Sequence, residues 1–459
     1  MGKTVRAGTL LRRLLGLVAC ALCACYTPLP LDAGGMLRDL RRNRGGEGEA
    51  SAGRLAEDEA VRLAVSTSAP VKVARAMVSE AKGGAVRARA FDNPEIRVDN
   101  AWLRRGTGTL DRDVYKLGLD FRVFLSALAE RPARVGAADA AVTVAQASAS
   151  LEEARVRREV RVAYGRVVTA RERQALLTRL VEVRHERQAT LAVSVQGGHS
   201  VAGDLELARV GEEEARDRLS RAEEEMSDAL AALSRIFGKD LVNLDDLALP
   251  ASPPCRPPPD DAQALEERIL ATSPALEQRR ALHQRAREEA RAEHLARWPR
   301  LKYLEVGYSR NHLVGSQTIV PGYEIEPRYY AWATHLHLAL ELPVWNWNGG
   351  RIEAALARAE GETARFRETL DATIAGLHRS LFRWNRSHNR AERAQSATLP
   401  AAQEALRVTR QAVEAGRLPI TAALDAEEKV LVARLALLDD LLACRTAQLD
   451  IEAALGRDL

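Results

Sequence analysis

The apolar and polar positions of this chain divide it into two kinds of text, and each kind occurs twice. Four short segments alternate with a period of two. In Glu95-Ile96-Arg97-Val98-Asp99-Asn100-Ala101-Trp102, the apolar Ile96, Val98 and Trp102 face one way and Glu95, Arg97 and Asp99 the other. From Tyr115 to Val123, Tyr115, Leu117, Leu119, Phe121 and Val123 oppose Lys116, Gly118, Asp120 and Arg122. Leu304, Val306 and Tyr308 repeat the pattern, and Thr334, Leu336, Leu338, Leu340 and Leu342 then oppose His335, His337 and Glu341. The spacing predicts strands near 95–103, 114–124, 301–310 and 332–342, each with one oily and one ionic face. A soluble antiparallel sheet with one wet face fits this pattern, and so does the wall of a membrane barrel. Closing a barrel takes about eight strands, so the second reading requires several copies of the chain.

The other text is helical. From about 133 to 237, and again from about 351 to 455, small or apolar residues recur every three or four positions. Val156, Val160, Ala163, Val167 and Ala170 form one such face, with Arg155, Arg158, Glu159 and Arg161 outside it. Alanine at many apolar positions permits close helix approach. Each region is broken once, at Gln196-Gly197-Gly198-His199-Ser200 and at Ala415-Gly416-Arg417-Leu418-Pro419. Each is therefore predicted as a hairpin of helices of about 60 residues or fewer, up to about 90 Å long. A further helical hairpin or broken helix is expected from Leu55 to Ala90, interrupted at Pro70 and stopped by Asn93-Pro94.

The two halves correspond in order. Ser68-Ala69-Pro70 recurs as Thr272-Ser273-Pro274, Gly136-Ala137-Ala138 as Gly350-Arg351-Ile352, and Arg235-Ile236-Phe237-Gly238 as Ala453-Ala454-Leu455-Gly456. Residues 55–248 are read as one structural repeat with a helical hairpin at 133–237, and residues 263–459 as a second with its hairpin at 351–455. The Pro-rich stretch 249–262 links them as a stiff, extended strap.

The N-terminus is different. Lys3, Arg6, Arg12 and Arg13 precede an apolar run from Leu14 to Ala24, too short to span a membrane and suited to a secretory signal over residues 1–24. Cys25, after Leu22-Cys23-Ala24, resembles the acylated cysteine of a bacterial lipoprotein. Cys20 is the alternative, with Arg12 and Arg13 too close to leave a full apolar core; a signal without lipidation is the third option. Residues 25–54 are Gly/Arg-rich and aperiodic, a tether by composition. Beyond Cys25 only Cys255 and Cys444 remain, and no disulfide framework is read from them.

Aromatic residues make up 4% and charged residues 28% of the chain, a balance used by long helices, and the net charge of +4 is evenly mixed rather than clustered. A nucleic-acid partner is not indicated. No apolar stretch after the signal is long enough for a membrane-spanning helix, so entry into a membrane must be by strands. With no nucleophile elbow, HExxH, phosphate loop or acid/base cluster, the chain does not read as an enzyme and implies no cofactor.

These features together resemble the outer-membrane efflux proteins of the TolC family. The resemblance rests on Asn93-Pro94-Glu95-Ile96, on Leu342-Pro343-Val344-Trp345-Asn346-Trp347-Asn348-Gly349-Gly350, on Ala163-Tyr164, on Gly416 through Leu424-Asp425-Ala426, and on Ala454-Leu455-Gly456. It implies a mainly α fold with a small β part: long α-helical coiled hairpins forming a periplasmic barrel, and four strands per protomer contributing to a trimeric transmembrane β-barrel. It implies a homotrimer in outer-membrane lipid, lipid-anchored and extending into the periplasm. It also implies a passive exit duct docked through a periplasmic adaptor protein to an inner-membrane transporter, the resistance-nodulation-division type being one candidate. Two alternatives stand: the exit duct of a type I protein-secretion system, and a soluble periplasmic coiled-coil scaffold.

The family's helical turns lie at the periplasmic end, where acids narrow the entrance. Asp425 matches the second aspartate of the family's acid pair, whereas the first falls on Ala422; Asp204 and Glu206 occupy the corresponding bend of the first repeat. Symmetry would bring copies of these acids together and raise their carboxyl pKa values through mutual repulsion. Glu427 and Glu428 read as an ordinary negative first helical turn. Gly197, Gly198, Ser200, Gly416, Arg417 and Leu418 match the family's adaptor-contacting turns, and Gly there also serves positive φ. Lys116, Asp120, Arg122, His335, His337 and Glu341 are expected to line the lumen. A ring of imidazoles at His335 and His337 is chemically able to hold soft metal cations; polar pore lining is the simpler reading, and no residue is assigned as a metal ligand. The transported substrate is not legible.

Overall fold

A computed structural model of the chain describes residues 32–44, 55–105, 112–237, 247–248, 250, 255–259, 261–315, 317–320, 323–325 and 328–457. The expected signal, with Cys20 and Cys25, lies outside the described residues. Within the stretch expected to be an aperiodic tether, Ala33–Arg44 forms a helix, α1. Asp32 accounts for its start: its Oδ1 accepts the Gly35 backbone N–H at 2.8 Å, as an N-cap does.

The two repeats have the same order of elements. The first contains α2 (Glu57–Thr67), α3 (Ala69–Arg89), β1 (Glu95–Arg105), β2 (Arg112–Phe124), α4 (Ser126–Gln196) and α5 (Ala202–Phe237). The second contains α6 (Ala262–Thr272), α7 (Pro274–Leu295), β3 (Arg300–Gly315), a small hairpin β4 (Gln317–Val320) and β5 (Tyr323–Ile325), β6 (Arg328–Glu341), α8 (Gly349–Arg393), α9 (Leu399–Glu414) and α10 (Ile420–Leu455). Ser68 and Ser273 break the leading helix of each repeat with extended ψ angles of 128° and 121°. Pro70 and Pro274 follow at the opening positions of α3 and α7, where the missing N–H costs nothing.

Two helical expectations are corrected. The helix α4 runs 71 residues, about 107 Å at 1.5 Å per residue, rather than 60 or fewer. Pro132 falls in its second turn, and its neighbours work outward: Arg131 donates to the Arg89 carbonyl at 2.9 Å and Arg134 to the Ala90 carbonyl at 3.1 Å. Those guanidinium groups satisfy the carbonyls left open where α3 ends. In the second repeat the hairpin has an additional interruption, a π-helical turn over Ala394–Thr398. Pro400 immediately beyond cannot donate a backbone bond to the preceding turn, and the widened turn absorbs the missing bond.

The four main strands form one antiparallel sheet in the order β1-β2-β3-β6, so β2 and β3 join the two repeats side by side. The β4–β5 hairpin is a second, smaller sheet that the alternation did not reveal. The strand pattern around Leu342 ends one residue earlier than expected, at Glu341, next to Pro343.

Three apolar clusters hold the helices. One gathers Val61, Val71, Val160, Tyr164, Leu233 and Leu247; a second Ile269, Leu276, Leu377, Trp384, Ile451 and Leu455; a third Leu177, Leu180, Leu424 and Leu431. Alanines fill many of the remaining contacts, which brings the backbones close. Tyr164 joins the chain's strap to this body. Its hydroxyl donates to the Ala248 carbonyl at 2.7 Å beside the Leu55–Leu247 bridge, and burial, reinforced by Glu57, pushes its pKa up to about 12.

Cys255 of the strap and Cys444 of α10 form a disulfide across a sequence separation of 189. Linear spacing could not show this, because only the folded second repeat sets the strap against Cys444, which is buried in the second apolar cluster. Trp384 Nε1 donates to the Arg256 carbonyl at 2.9 Å and fixes the same segment. Reduction, or Cys444→Ser, should remove about 2–4 kcal/mol. The thermal midpoint of the non-reduced protein should exceed that of the reduced protein by a few degrees, and equal midpoints would deny the bridge a structural role.

Candidate functional site: a polar lumen wall and an acid-lined tip

The sheet is inside out for a soluble protein. Asp120 and Glu305 are each 5% exposed, whereas Leu336 is 67% and Leu338 64% exposed. Ile96, Val98, Leu119, Phe121 and Val306 share the exposed oily side. Alternation alone admitted both a wet face and a lipid face; burial separates them, because the charged side is the enclosed one. Exposed Phe91, Trp298, Trp345 and Trp347 sit where strands meet helices, as aromatics do at a membrane boundary. Arg131 lies over the Phe91 ring at 4.5 Å.

The enclosed side is organised in rows set by strand register. Glu95 pairs with Arg122, Arg122 with Glu305, and Glu305 with His337; Arg97 pairs with Asp120, Asp120 with Gly307, and Gly307 with His335. Arg122 Nε donates to Glu305 Oε2 at 2.7 Å, and the same guanidinium is 3.5 Å from Glu95. His337 Nδ1 lies 3.3 Å from Glu305 Oε1 and His335 Nε2 lies 3.1 Å from Asp120 Oδ1. Asp120, Arg122, His335 and His337 thus come together on one side of the sheet. Glu341 stands apart at the end of β6, paired with Arg300 at 3.1 Å, and Lys116 is described only by its register with Ala101 and Asn311. Glu305 and Gly307 were missed, although Glu305 stands between Leu304 and Val306 in the same alternation.

At the opposite end of the helices the two turns are the same motif. In the first, the His199 N–H bonds the Ser194 carbonyl at 2.8 Å and the Gly198 N–H the Val195 carbonyl at 3.1 Å. In the second, Arg417 reaches Ala412 at 2.8 Å and Gly416 reaches Val413 at 2.9 Å. Gly198 and Gly416 have φ of 72° and 68°, so the left-handed position of this Schellman cap demands glycine in both. Exposed Val193, Val201, Leu207, Leu418 and Ile420 surround the turns.

The acids near these turns are not free. Asp425 is bridged by Arg187 at 2.8 Å, Glu428 by Arg184 at 2.7 Å, and Glu427 by Arg179 and Arg410. Burial alone would push the Glu427 carboxyl up, but hydrogen bonds from Arg179 and Arg410 hold it below the usual range. Arginines on α4 and α9 that the spacing did not reveal therefore accompany these acids within one protomer. Nor are Glu427 and Glu428 an isolated first turn, since they tie α10 to its neighbours. Asp204 and Asp425 line one cleft of ≈ 330 Å³ with Arg184 and Arg187. Glu206 lies outside it, paired with Arg209 at 2.7 Å on the surface of α5.

Residues 265–457 match the family described as outer membrane efflux protein. The chain is 23% identical over 414 residues to the cobalt-zinc-cadmium resistance protein CzcC of Cupriavidus metallidurans, covering 89% of this chain and 91% of that protein. Among solved structures it is similar to CusC, with a TM-score of 0.68, 16% identity, and coverage of 87% of this chain and 92% of CusC. It is also similar to the open state of the MtrE outer membrane channel of Neisseria gonorrhoeae, with a TM-score of 0.65, 18% identity, and coverage of 89% and 93%.

Proposed function

The chain belongs to the outer membrane efflux protein family, matched over residues 265–457, and from that premise we propose that it is the exit duct of a tripartite efflux system. It sits in the outer membrane, extends into the periplasm, and passes substrates outward without chemistry of its own. The observation that carries this reading is the inverted sheet, with enclosed Asp120, Arg122 and Glu305 behind an exposed face of Leu119, Leu336 and Leu338. A soluble scaffold has no use for such a face. Four strands per protomer call for a ring of copies, and three copies give a twelve-stranded barrel, enough to enclose water.

An adaptor docks at the two Schellman turns, where Gly197, Gly198, Ser200, Gly416, Arg417 and Leu418 present backbone and apolar side chains at one end of the body. The supporting geometry is the identity of the two caps, which lets one kind of adaptor hairpin meet both. The Asp204–Asp425 cleft is the constriction, closed by the Arg187–Asp425 bridge between α4 and α10.

Purified protein reconstituted in planar bilayers should give stable channels from a trimer-sized particle. Asp425→Ala breaks the bridge and should raise conductance, whereas Glu206→Ala should leave it unchanged. A particle that gives no channels in any lipid would sink the duct reading; equal effects of the two substitutions would sink the assignment of the constriction.

A further inference from the structure

Resting on the duct reading, we propose that Glu305, His335 and His337, with Asp120 at their edge, form a binding site for a divalent transition-metal cation on the lumen wall within each protomer. The candidate ligand atoms of Glu305, His335 and His337 all lie within 4.8 Å of one another, and the two imidazole centroids are 4.8 Å apart. This grouping comes from three strands. His335 and Asp120 each lie opposite Gly307 in the register, one strand to either side of it. A Cβ at Gly307 would come within 2.2 Å of both Asp120 Oδ1 and His335 Nε2. Glycine is therefore what lets the imidazole and the carboxylate meet over β3.

Two features distinguish the cluster from simple cross-strand pairing. Asp120 has a side chain only 7% exposed, and its Oδ1 has no hydrogen-bond donor aligned on it although His335 Nε2 is 3.1 Å away. A buried carboxylate oxygen left in that state carries a desolvation cost that a cation would relieve. Glu305 is divided in use: Oε2 is held by Arg122 at 2.7 Å, while Oε1 faces His337 and the other candidate ligands. Arg122 orients the carboxylate and takes up part of the local negative charge.

Two imidazoles with carboxylate oxygens suit zinc, cobalt or nickel, whereas calcium and magnesium take oxygen ligands. His337, with its side chain 62% exposed, leaves the cluster open to the lumen. An open site of low net charge captures an ion and releases it again, which a conducting pore requires of its binding sites.

The test uses tag-free, full-length protein with the Cys255–Cys444 disulfide intact and remaining thiols alkylated, so that sulfur cannot contribute. Titration with Zn²⁺ should show one saturable site per protomer, and Zn²⁺ added to open channels should lower their conductance, with reversal by EDTA. His335→Ala combined with His337→Ala should weaken binding by at least about tenfold and abolish the block. Gly307→Ala, which removes no ligand, should do the same while the protein still assembles. His335→Gln with His337→Gln serves where the alanine variant does not assemble. Conducting channels with no saturable Zn²⁺ site, or identical Zn²⁺ binding in wild type and in the assembled histidine variants, would overturn this site and leave the duct standing. The titration reads the site even where no channel forms, which separates its failure from that of the duct.

Discussion

Arginine at both Leu119 and Leu338 abolishes assembly in the membrane while leaving the helical body folded. Both side chains lie on the exposed oily face, with Leu119 54% and Leu338 64% open to the surroundings. A charged side chain there costs about 2–4 kcal/mol at the middle of a bilayer, and each substitution is repeated in every protomer of the ring. The same change on the enclosed face would meet water and partners instead. Membrane fractionation and the heat-sensitive oligomer band on gels are the readouts, with far-UV circular dichroism to verify the helices. A double variant that still partitions into the outer membrane as an oligomer would place the oily face somewhere other than lipid.

Glu452→Ala costs about 3–5 kcal/mol, as expected when one partner of a buried ion network is removed. Glu452 is 6% exposed and joins three elements. Its Oε2 accepts from Arg161 of α4 at 3.0 Å, its Oε1 accepts from Gln448 at 2.8 Å, and Arg445 lies 4.0 Å away, while Glu57 of α2 bridges Arg445 at 2.9 Å. Removing the carboxylate leaves two guanidinium groups, each in a side chain 13% exposed, with Glu57 between them and the exposed Asp58 beside Arg161. Arg161→Met together with Glu452→Leu should recover part of the loss, because one uncompensated charge is then removed with its partner. Chemical denaturation of the detergent-solubilised protein measures both, and a double variant less stable than Glu452→Ala would contradict this account.

The repeat structure was legible because it is written in local chemistry. Proline-led helix starts, glycine turns and two periodicities each act within a few residues, and Pro70, Pro274, Gly198 and Gly416 all do what their types dictate. The polar side of the sheet followed from alternation for the same reason. What stayed hidden depends on contacts distant in sequence. Arg187 is remote from Asp425, Cys255 from Cys444, and Asp120 from His335, so no spacing rule brings them together. The hairpin expected from 133 begins at Ser126 and carries Pro132 in its second turn, where Arg131 is anchored on the distant Arg89 carbonyl.

The strand order β1-β2-β3-β6 leaves β1 and β6 as the two borders of the protomer's sheet. Along each border, backbone donors and acceptors point outward with no partner strand among the described residues of the same chain. In water this is harmless, but in hydrocarbon each unsatisfied group costs several kcal/mol. A solitary protomer is therefore barred from the bilayer, although its oily face would favour entry. The border strands thus couple ring closure to insertion, since only a closed ring satisfies both edges in hydrocarbon.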